Sequence, residues 1–292
     1  MIGIDWGTSQ FRAFRFAPNG EILARHSSGH GILDVADGDF AGTLRAELAP
    51  WLADGETKII MSGMIGSRQG WVEAPYLPCP AGLANIAAGL IGVPFDGAEI
   101  LLVPGLSDRD DSGIPEVMRG EETQVLGALA SIGAAGIVCL PGSHSKWVEV
   151  ADHRIASYRT YLTGETFAAL RAGTILGRMM RDGATDLSTF DRGVARSGEP
   201  GHLLHQLFGV RTLGLTGRLA DTASAAYLSG LLIGHEVRAA APGDEIIHLV
   251  GAEPLCELYA RAIGGCGGVA LMGPADAAAL GLTRLAVQRK FL

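Results

Sequence analysis

The sequence predicts an α/β protein of two domains, in which one order of strands and helices, βββαβα, occurs twice. Near the N-terminus, three strand-like segments joined by tight turns come before a helix, and the same order recurs from Gly136. In each copy, a turn rich in glycine and hydroxyl residues joins two of these strands. We therefore expect domains at residues 1–135 and 136–292, with the final helix, from about residue 275, free to pack back on the first domain.

The composition is typical of a soluble globular protein. The chain has 292 residues, 48% hydrophobic and 18% charged, with a net charge of −8. This charge offers no basic surface for nucleic acid or an anionic membrane. Met1 leads directly into a strand, so no secretory signal is expected, and the four cysteines lack CxxC spacing. We expect a cytoplasmic protein with small-molecule partners, no nucleic acid or membrane partner, and a homodimer as an open option.

The first copy is predicted from its short apolar segments and its turn residues. A Pro-Asn-Gly turn separates the second and third strands, and an amphipathic segment follows them. The predicted elements are strands at residues 2–5, 11–16 and 22–26, a helix at 40–52 and a strand at 58–61.

The second copy repeats this order with longer strands. GIVCL, KWVEV and IASYRTYL are predicted strands, and a helix begins at Thr163, with TGE expected to cap it. After an irregular, helix-rich stretch from residue 182 to 217, we predict a helix at 220–238, strand EIIHLVG, helix EPLCELYARAIG, strand VALMG and a helix from Pro274. Such a duplication is expected of two RNase H-like domains of the actin-like ATPase type, with a ligand cleft between them.

The first hairpin, DWGTS, carries a carboxylate at the end of a buried strand. Asp5 needs a compensating charge there, and Gly7 with the hydroxyls of Thr8 and Ser9 can form a cradle for phosphate. The alternative is an ordinary hairpin with polar turn residues. On the first interpretation, Asp5 would hold Mg²⁺ that accompanies a polyphosphate.

Two later turns extend the predicted nucleotide site. The turn PGSHSK repeats the small and hydroxyl residues at the corresponding place of the second copy, and LVGAEPL joins a strand to a helix. The first turn would bind the polyphosphate of ATP, and the second would bind its nucleoside. The alternative for His144 and Lys146 is that they lie at a solvated strand edge. The residues concerned are Gly142, Ser143, His144, Ser145, Lys146, Gly251, Ala252 and Leu255.

Two adjacent acids begin a predicted helix in VMRGEETQ. Glu121 and Glu122 could simply complement the positive end of the helix dipole. Alternatively, one of them is the general base of the reaction. Arg119 beside them could meet an anionic substrate.

The segment from Met61 to Gly82 has too many glycines and prolines for regular structure and carries polar and aromatic side chains. It is predicted to be a substrate loop, the alternative being a packed Ω-loop. Arg68 would bind a carboxylate, with Arg119 as the less favoured choice. Tyr76 is a further candidate for substrate binding.

The motifs DWGTSQFR, MSGMIGSRQGWVEAPY with CPAG, VMRGEETQ, LPGSHSKW and YLTGETF together resemble the 2-dehydro-3-deoxygalactonokinase family, in the same order along the chain. The likeness extends to LVGAEPLCELYARA and ADAAALGL, whereas RAGTILG departs from the family pattern. It implies ATP- and Mg²⁺-dependent phosphorylation of 2-dehydro-3-deoxy-D-galactonate at its terminal 6-hydroxyl, in galactonate degradation. It also implies roles for Ser62, Gly63, Met64 and Ser67 in substrate binding and for Arg12 in nucleotide binding. Related sugar kinases have an acid directly after a glycine at the start of the same helix, so the resemblance favours Glu121, which follows Gly120, over Glu122 as the base.

Other functions are less well supported. A kinase for another sugar or keto-deoxy sugar acid would use the same residues. A chaperone-type nucleotide switch needs additional subdomains, and a serine hydrolase built on Ser143 or Ser145 would lack a GxSxG elbow. His26 and His30 are spaced as a metal pair could be, but a loop is the better interpretation.

Overall fold

The computed structural model describes residues 1–240, 243 and 245–292. The chain divides into two compact units. Unit 1 consists of Met1–Ala135, Glu149–Tyr158 and Asp276–Leu292, and unit 2 of Gly136–Val148 and Arg159–Ala275. Each unit is therefore assembled from segments that are distant in sequence.

The elements of the first part of the chain begin with three hairpin-linked strands. The strands are β1 (Ile2–Trp6), β2 (Phe11–Phe16), β3 (Ile22–Ser28), β4 (Lys58–Ser62), β5 (Tyr76–Pro78), β6 (Ala81–Gly82), β7 (Ile91–Val93), β8 (Glu99–Leu102), β9 (Gly105–Arg109) and β10 (Pro115–Met118). The helices are α1 (Phe40–Ala53), α2 (Leu83–Ala88) and α3 (Glu121–Ile132).

The second part of the chain repeats the three strands and then becomes mostly helical. The strands are β11 (Gly136–Leu140), β12 (Ser145–Ala151), β13 (Arg154–Tyr161), β14 (Ile246–Leu249) and β15 (Val269–Met272). The helices are α4 (Thr163–Gly173), α5 (Leu187–Ser197), α6 (Leu203–Leu215), α7 (Ser224–Ala240), α8 (Glu253–Gly265) and α9 (Ala277–Gln288).

The two large sheets share one strand order. The first has the order β3-β2-β1-β4-β8-β7, and the second, counted from β13, continues β12-β11-β14-β15 with β6 beyond β13. In both, three consecutive strands are followed by two that come later in the chain, β4 and β8 in the first sheet and β14 and β15 in the second; β7 extends the first sheet beyond β8. This repetition confirms the predicted α/β class and its duplicated RNase H-like, actin-like plan.

Strand β1 is central and buried on both faces, which explains its unbroken apolar character apart from Asp5. It pairs antiparallel with β2 and parallel with β4, so that Asp5 lies opposite Ser62. Helix α1 contributes Phe40, Leu44 and Leu48, spaced by four residues, to the same core. The carboxylate of its N-cap residue, Asp39, accepts a hydrogen bond of 2.8 Å from the Gly42 amide.

A small sheet of order β10-β9-β5 was not predicted. Its strands are short, and β9 and β10 form a hairpin around the turn from Asp110 to Gly113, where Gly113 has φ +82°. The predicted loop from Met61 to Gly82 thus contains the edge strand β5. Its other two strands, β9 and β10, lie between this loop and the start of α3 in the chain.

One cap and one boundary in unit 2 differ from the sequence prediction. Helix α4 begins at Thr163 as predicted, but TGE does not cap it: the N-cap is Leu162, whose side chain cannot accept a hydrogen bond. Helix α7 begins at Ser224 instead of residue 220, because the preceding residues form a turn in which the Ala223 amide donates to the Ala220 carbonyl. Among the described residues, no helix is long and apolar enough to cross a membrane.

Candidate active site

In unit 1, the carboxyl ends of the parallel strands β1 and β4 lie side by side and bring the first predicted site residues together. Asp5 is 8% exposed, and Ser62, opposite it, is 1% exposed. The Arg12 guanidinium lies 3.8 Å from the Asp5 carboxylate. Burial raises the pKa of Asp5; the positive charge of Arg12 opposes this rise, and the negative charge of Glu121 adds to it.

Helix α3 begins at the same edge of the sheet because two glycines allow a close approach. Gly63 has φ +101°, and a methyl group built on it would lie 2.6 Å from the carbonyl oxygen of Trp6. Gly120, the N-cap of α3, has φ +106°, and its added methyl would lie 3.1 Å from the Gly63 Cα. This packing places Glu121 within electrostatic reach of Asp5.

The two acids at the start of α3 differ in environment. The Glu121 side chain is partly exposed and accepts a hydrogen bond of 3.0 Å from the Arg119 amide. Glu122 is fully buried, and its carboxylate accepts from the Gly120 amide at 2.7 Å and from the Thr123 hydroxyl at 3.0 Å. Burial and the charge of Glu121 raise the pKa of Glu122 to about 8. The Glu122 carboxylate is thus used in hydrogen bonds at the start of α3, whereas the Glu121 side chain remains partly accessible to solvent.

The loop that follows β4 is an ordered, tightly hydrogen-bonded structure. The amides of Ser67 and Gly70 donate to the carbonyls of Met64 and Ser67, and the Trp71 amide donates to the Ile65 carbonyl at 2.9 Å. A methyl group on Gly70 would overlap the Ile65 carbonyl. The backbone of this loop therefore has one defined shape.

The two arginines considered for an anionic substrate have opposite environments. The side chain of Arg68 is 87% exposed, and its Nε lies 3.5 Å from a Glu73 carboxylate oxygen. Arg119 is 6% exposed, lies over the Tyr76 ring at 4.3 Å and donates through Nη2 to the Ala74 carbonyl at 2.7 Å. Its Nε and Nη1, like the hydroxyls of Ser62 and Ser67, are buried without a hydrogen-bond partner.

The first hairpin presents its polar turn to solvent. Thr8 and Ser9 are exposed, and the Gly7 amide donates to the Gln10 carbonyl at 2.9 Å. The residues after β3 hold this turn, since the Ile32 amide donates to the Gly7 carbonyl at 3.0 Å and Gly31 packs against Ser9 so closely that a methyl group would overlap it. The turn is thus braced from outside the hairpin.

His26 and His30 lie in and just after β3, next to the residues that hold the turn. Both imidazoles contact the buried carboxylate of Glu47 on α1, which also accepts a hydrogen bond from the Ser28 hydroxyl. The histidines are therefore partners of a carboxylate at the end of β3. In the part of the chain that the structure describes, no group of three or more His, Cys, Asp or Glu residues could hold a metal ion.

Unit 2 contains a cavity of about 680 Å³. Of the predicted nucleotide-binding residues, Gly142 and Ser143 line it from the turn after β11, and Ala252 and Leu255 line it from the start of α8. Gly251, which has φ +151°, makes the turn into α8. A cavity of this size with mixed polar and apolar walls is suited to a small organic ligand.

The other walls of this cavity are not predicted from the sequence. They are formed by Thr163, Gly164, Phe167, Arg171, Arg181, Asp182, Thr222, Ser229 and Tyr259, among others. The motif TGE could have indicated the wall at the start of α4, because this helix start packs on the second hairpin. The Glu165 amide donates to the Ser143 carbonyl at 3.0 Å, and His144 contacts the Glu165 carboxylate. The remaining residues come from separated segments without a shared motif.

The end of the second hairpin is buried and tied to a polar network. The Ser145 hydroxyl donates to the Tyr161 carbonyl at 3.3 Å and lies 3.2 Å from the Tyr259 hydroxyl. The buried Glu236 accepts from Tyr259 at 2.7 Å and from the Trp147 indole at 2.8 Å. Lys146 is also buried, and its ammonium donates to the His144 carbonyl at 2.8 Å. This network fixes the hairpin beside the cavity wall.

The family and the relatives that match this chain show that it is a sugar kinase, a phosphotransferase with an alcohol as acceptor. The family described as 2-keto-3-deoxy-galactonokinase matches residues 5–285. The chain belongs to this family.

Individual relatives agree with this assignment. The "Probable 2-dehydro-3-deoxygalactonokinase DgoK1" of Rhizobium meliloti (strain 1021) is 40% identical, over 89% of this chain and 87% of the relative. The 2-dehydro-3-deoxygalactonokinase of Escherichia coli (strain K12) is 33% identical, over 93% and 92%. The structure described as "Crystal structure of a putative 2-dehydro-3-deoxygalactonokinase protein from Sinorhizobium meliloti" superposes with a TM-score of 0.89 at 38% identity, covering 98% of this chain and 97% of that one.

Proposed function

We propose that this protein phosphorylates 2-dehydro-3-deoxy-D-galactonate at its terminal 6-hydroxyl with ATP, as a cytoplasmic step of galactonate degradation. The observation that carries the proposal is the approach of Glu121 to Asp5 at the ends of β1 and β4, in a chain that belongs to the 2-keto-3-deoxy-galactonokinase family. The relatives that match nearly the whole chain bear the name of this activity.

Glu121 is the proposed general base. Phosphoryl transfer passes through a loose transition state, so the attacking hydroxyl needs orientation first and loss of its proton late. A partly exposed carboxylate at a helix start can accept that proton. Glu122 keeps the start of α3 in place through the Gly120 amide.

The residues around Asp5 fit a magnesium ion. Mg²⁺ is commonly bound through one or two carboxylates, with water and substrate phosphates as the other ligands. Asp5 offers such a carboxylate, and a buried carboxylate whose pKa is raised would gain from a cation. When bound, the ion would neutralise charge on the phosphates of ATP.

The polar turns and the cavity of unit 2 are the proposed nucleotide site. Gly142, Ser143 and His144 of unit 2 would contact the phosphates of ATP. In unit 1, the turn with Gly7, Thr8, Ser9 and Arg12 is by itself a proposed phosphate-binding turn. The adenosine would occupy the 680 Å³ cavity, against Ala252 and Leu255. The amides of a glycine-rich turn can converge on an anion, as this assignment requires.

A coupled assay of ADP release, run over a panel of aldonic acids, keto-deoxy acids and neutral sugars, tests the proposal. We expect kcat/KM to be highest for 2-dehydro-3-deoxygalactonate and rates near background for neutral sugars. A clear preference for another keto-deoxy acid would support the alternative that the same machinery serves a different substrate. ATP hydrolysis without a preferred acceptor would contradict a sugar-acid kinase.

A further inference from the structure

Arg119 is an unusual buried cation. It is 6% exposed, and in the described residues no carboxylate forms an ion pair with its guanidinium. One nitrogen, Nη2, donates to the Ala74 carbonyl, while Nε and Nη1 have no partner. Burial of a guanidinium with unused donors is unfavourable unless an anion or further acceptors satisfy it. The unpaired donors therefore indicate a missing acceptor.

Two hydroxyls in the same region share this property. Ser62, at the end of β4, and Ser67, in the loop that follows, are 1% and 8% exposed, and neither hydroxyl has a hydrogen-bond partner. Both belong to the segment that packs on Arg119, since a methyl group on Gly66 would lie 2.9 Å from Nη1. Buried polar atoms without partners are rare in native proteins, and several within one loop and the residue it covers indicate a ligand.

An exposed aromatic ring covers one face of the Arg119 guanidinium. Tyr76 stacks on the guanidinium at 4.3 Å and is itself 40% exposed, at the edge of the small sheet. Because the Tyr76 side chain is exposed, its rotation would replace the ring contact of the Arg119 guanidinium with a contact to a ligand. Arg68, by contrast, already has the Glu73 carboxylate beside it and is fully hydrated, so an anion would gain little from it.

We propose that Arg119, assisted by Ser67 and uncovered by movement of the Tyr76 ring, binds the carboxylate of the substrate and makes the enzyme selective for sugar acids over neutral sugars. This inference rests on the proposed function for the identity of the acid. It reverses the preference that the sequence gives to Arg68. The donors of Arg119 should bind a carboxylate more tightly than those of Arg68, because the buried Arg119 guanidinium has lost its hydration before the ligand binds.

The test compares an acid with its neutral counterpart in the absence of turnover. Binding of 2-dehydro-3-deoxygalactonate and of its C1 amide is measured by calorimetry for the wild type, Arg119→Met, Ser67→Ala and the matched control Arg68→Ala. We expect Arg119→Met to weaken binding of the acid about ten- to a hundredfold, as for a lost charge-assisted interaction, and to leave binding of the amide within about threefold. Ser67→Ala should give a smaller loss of the same kind, and Arg68→Ala almost none.

The outcomes separate this inference from the proposed function. Equal loss of acid and amide in Arg119→Met, loss of acid selectivity in Arg68→Ala, or equal binding of acid and amide by the wild type would each overturn it. If Arg119→Met does not fold, Arg119→Lys replaces it: a lysine keeps the charge but lacks the planar donors, so acid selectivity should fall partly. Acid binding that depends on Arg119 without any phosphorylation would refute the proposed function and leave this inference standing.

Discussion

Asp5 is a buried carboxylate whose charged form the fold disfavours. Burial raises its pKa, and the guanidinium of Arg12, 3.8 Å away and half exposed, compensates only in part. A side chain held in this way contributes little to stability when it is ionised. Its retention at the end of a central strand is explained by the ligand that it would bind.

Replacement of Asp5 by Asn should separate stability from activity. Asn has the same shape and no charge to desolvate, so we expect the melting temperature of Asp5→Asn to equal or exceed that of the wild type. We expect kcat to fall at least about a hundredfold, because stabilisation of charge by a bound metal is worth several kcal/mol. Differential scanning calorimetry and the ADP assay measure the two effects. Asp34→Asn, on an exposed turn, is the control; near-normal kcat in Asp5→Asn at saturating Mg²⁺ would refute the metal role.

The two acids at the start of α3 should respond differently to removal of their charge. Glu121→Gln keeps the shape of the side chain and removes the base, so we expect kcat to fall by about 10² to 10⁴ with little change in either KM. Glu122→Gln should be mild, since an amide oxygen can still accept from the Gly120 amide. Steady-state kinetics of both variants decide the assignment. Reversed effects would make Glu122 the base, and no loss in either would exclude a base from this helix start.

Glu122 also predicts a pH dependence of stability. Its pKa is about 8 in the folded protein and 4.5 without the fold. Between these values the unfolded chain has released the proton while the folded protein retains it, so this residue lowers the free energy of unfolding as pH rises from about 4.5 to 8. Urea unfolding of the wild type and of Glu122→Gln at pH 5, 7 and 9 should show the variant gaining stability relative to the wild type up to pH 8. Parallel curves would contradict the buried, protonated state.

At the scale of elements, the contact between α3 and α9 depends on glycine. A methyl group on Gly127 of α3 would overlap the carbonyl oxygen of Ala277, and one on Gly281 of α9 would overlap that of Thr123. The two backbones therefore touch at the crossing, and both helices are buried on these faces. Because α3 carries Glu121, this crossing also sets where the proposed base lies.

The crossing can be tested with one added methyl group. We expect Gly127→Ala to lower the free energy of unfolding by about 1–3 kcal/mol, as overpacking of a dense core does. Gly209→Ala in α6 is the matched control, because a methyl there meets no atom within 4 Å; it should stabilise by roughly 0.5–1 kcal/mol through helix propensity. Urea denaturation measures both. Equal stability of the two variants would show that α3 and α9 separate easily.

The elements also show what the sequence could and could not predict. Strands β1 to β4 and helix α1 follow from alternating or spaced apolar residues and clear turns, because each has a buried face of its own. The strands from β7 to β10 were missed: each has five residues or fewer. For β9 and β10, the turn from Asp110 to Gly113 was nonetheless a usable hairpin signal.

The candidate site was predictable where one motif carries several of its residues. The turns at Gly7 and Gly142 and the acids at Glu121 and Glu122 each occupy a few consecutive positions. The cavity walls and the unpaired donors of Arg119 depend on contacts between segments distant in sequence, such as Ala74 with Arg119. Whether such a side chain is buried, and whether its polar atoms have hydrogen-bond partners, depends on tertiary contacts and cannot be predicted from a local sequence motif.

At the scale of the whole molecule, the two proposed ligands belong to different units. The 680 Å³ cavity lies in unit 2, and Arg119, Ser67 and Glu121 lie in unit 1. Ligand binding stabilises the segments that it contacts against local opening. Each ligand alone should therefore leave its own pattern of protection.

Amide hydrogen exchange with single ligands measures this. ADP alone should slow exchange in the turn after β11 and at the starts of α4 and α8. The sugar acid alone should slow exchange in the loop at residues 63–74 and at the start of α3. ADP protection of that loop to the same extent as the cavity segments would contradict the assignment of the nucleotide to unit 2. Neutral sugars at the same concentration serve as the control.

The discontinuous course of unit 1 has a consequence during synthesis. Residues 276–292, which include α9, emerge from the ribosome only after all of unit 2, yet they pack on α3 in unit 1. Unit 1 is thus the first to be started and the last to be completed. Until α9 arrives, the nascent protein exposes the apolar face of α3 around Gly127, and at ribosomal elongation rates of about 5–20 residues per second this vulnerable interval lasts on the order of ten seconds.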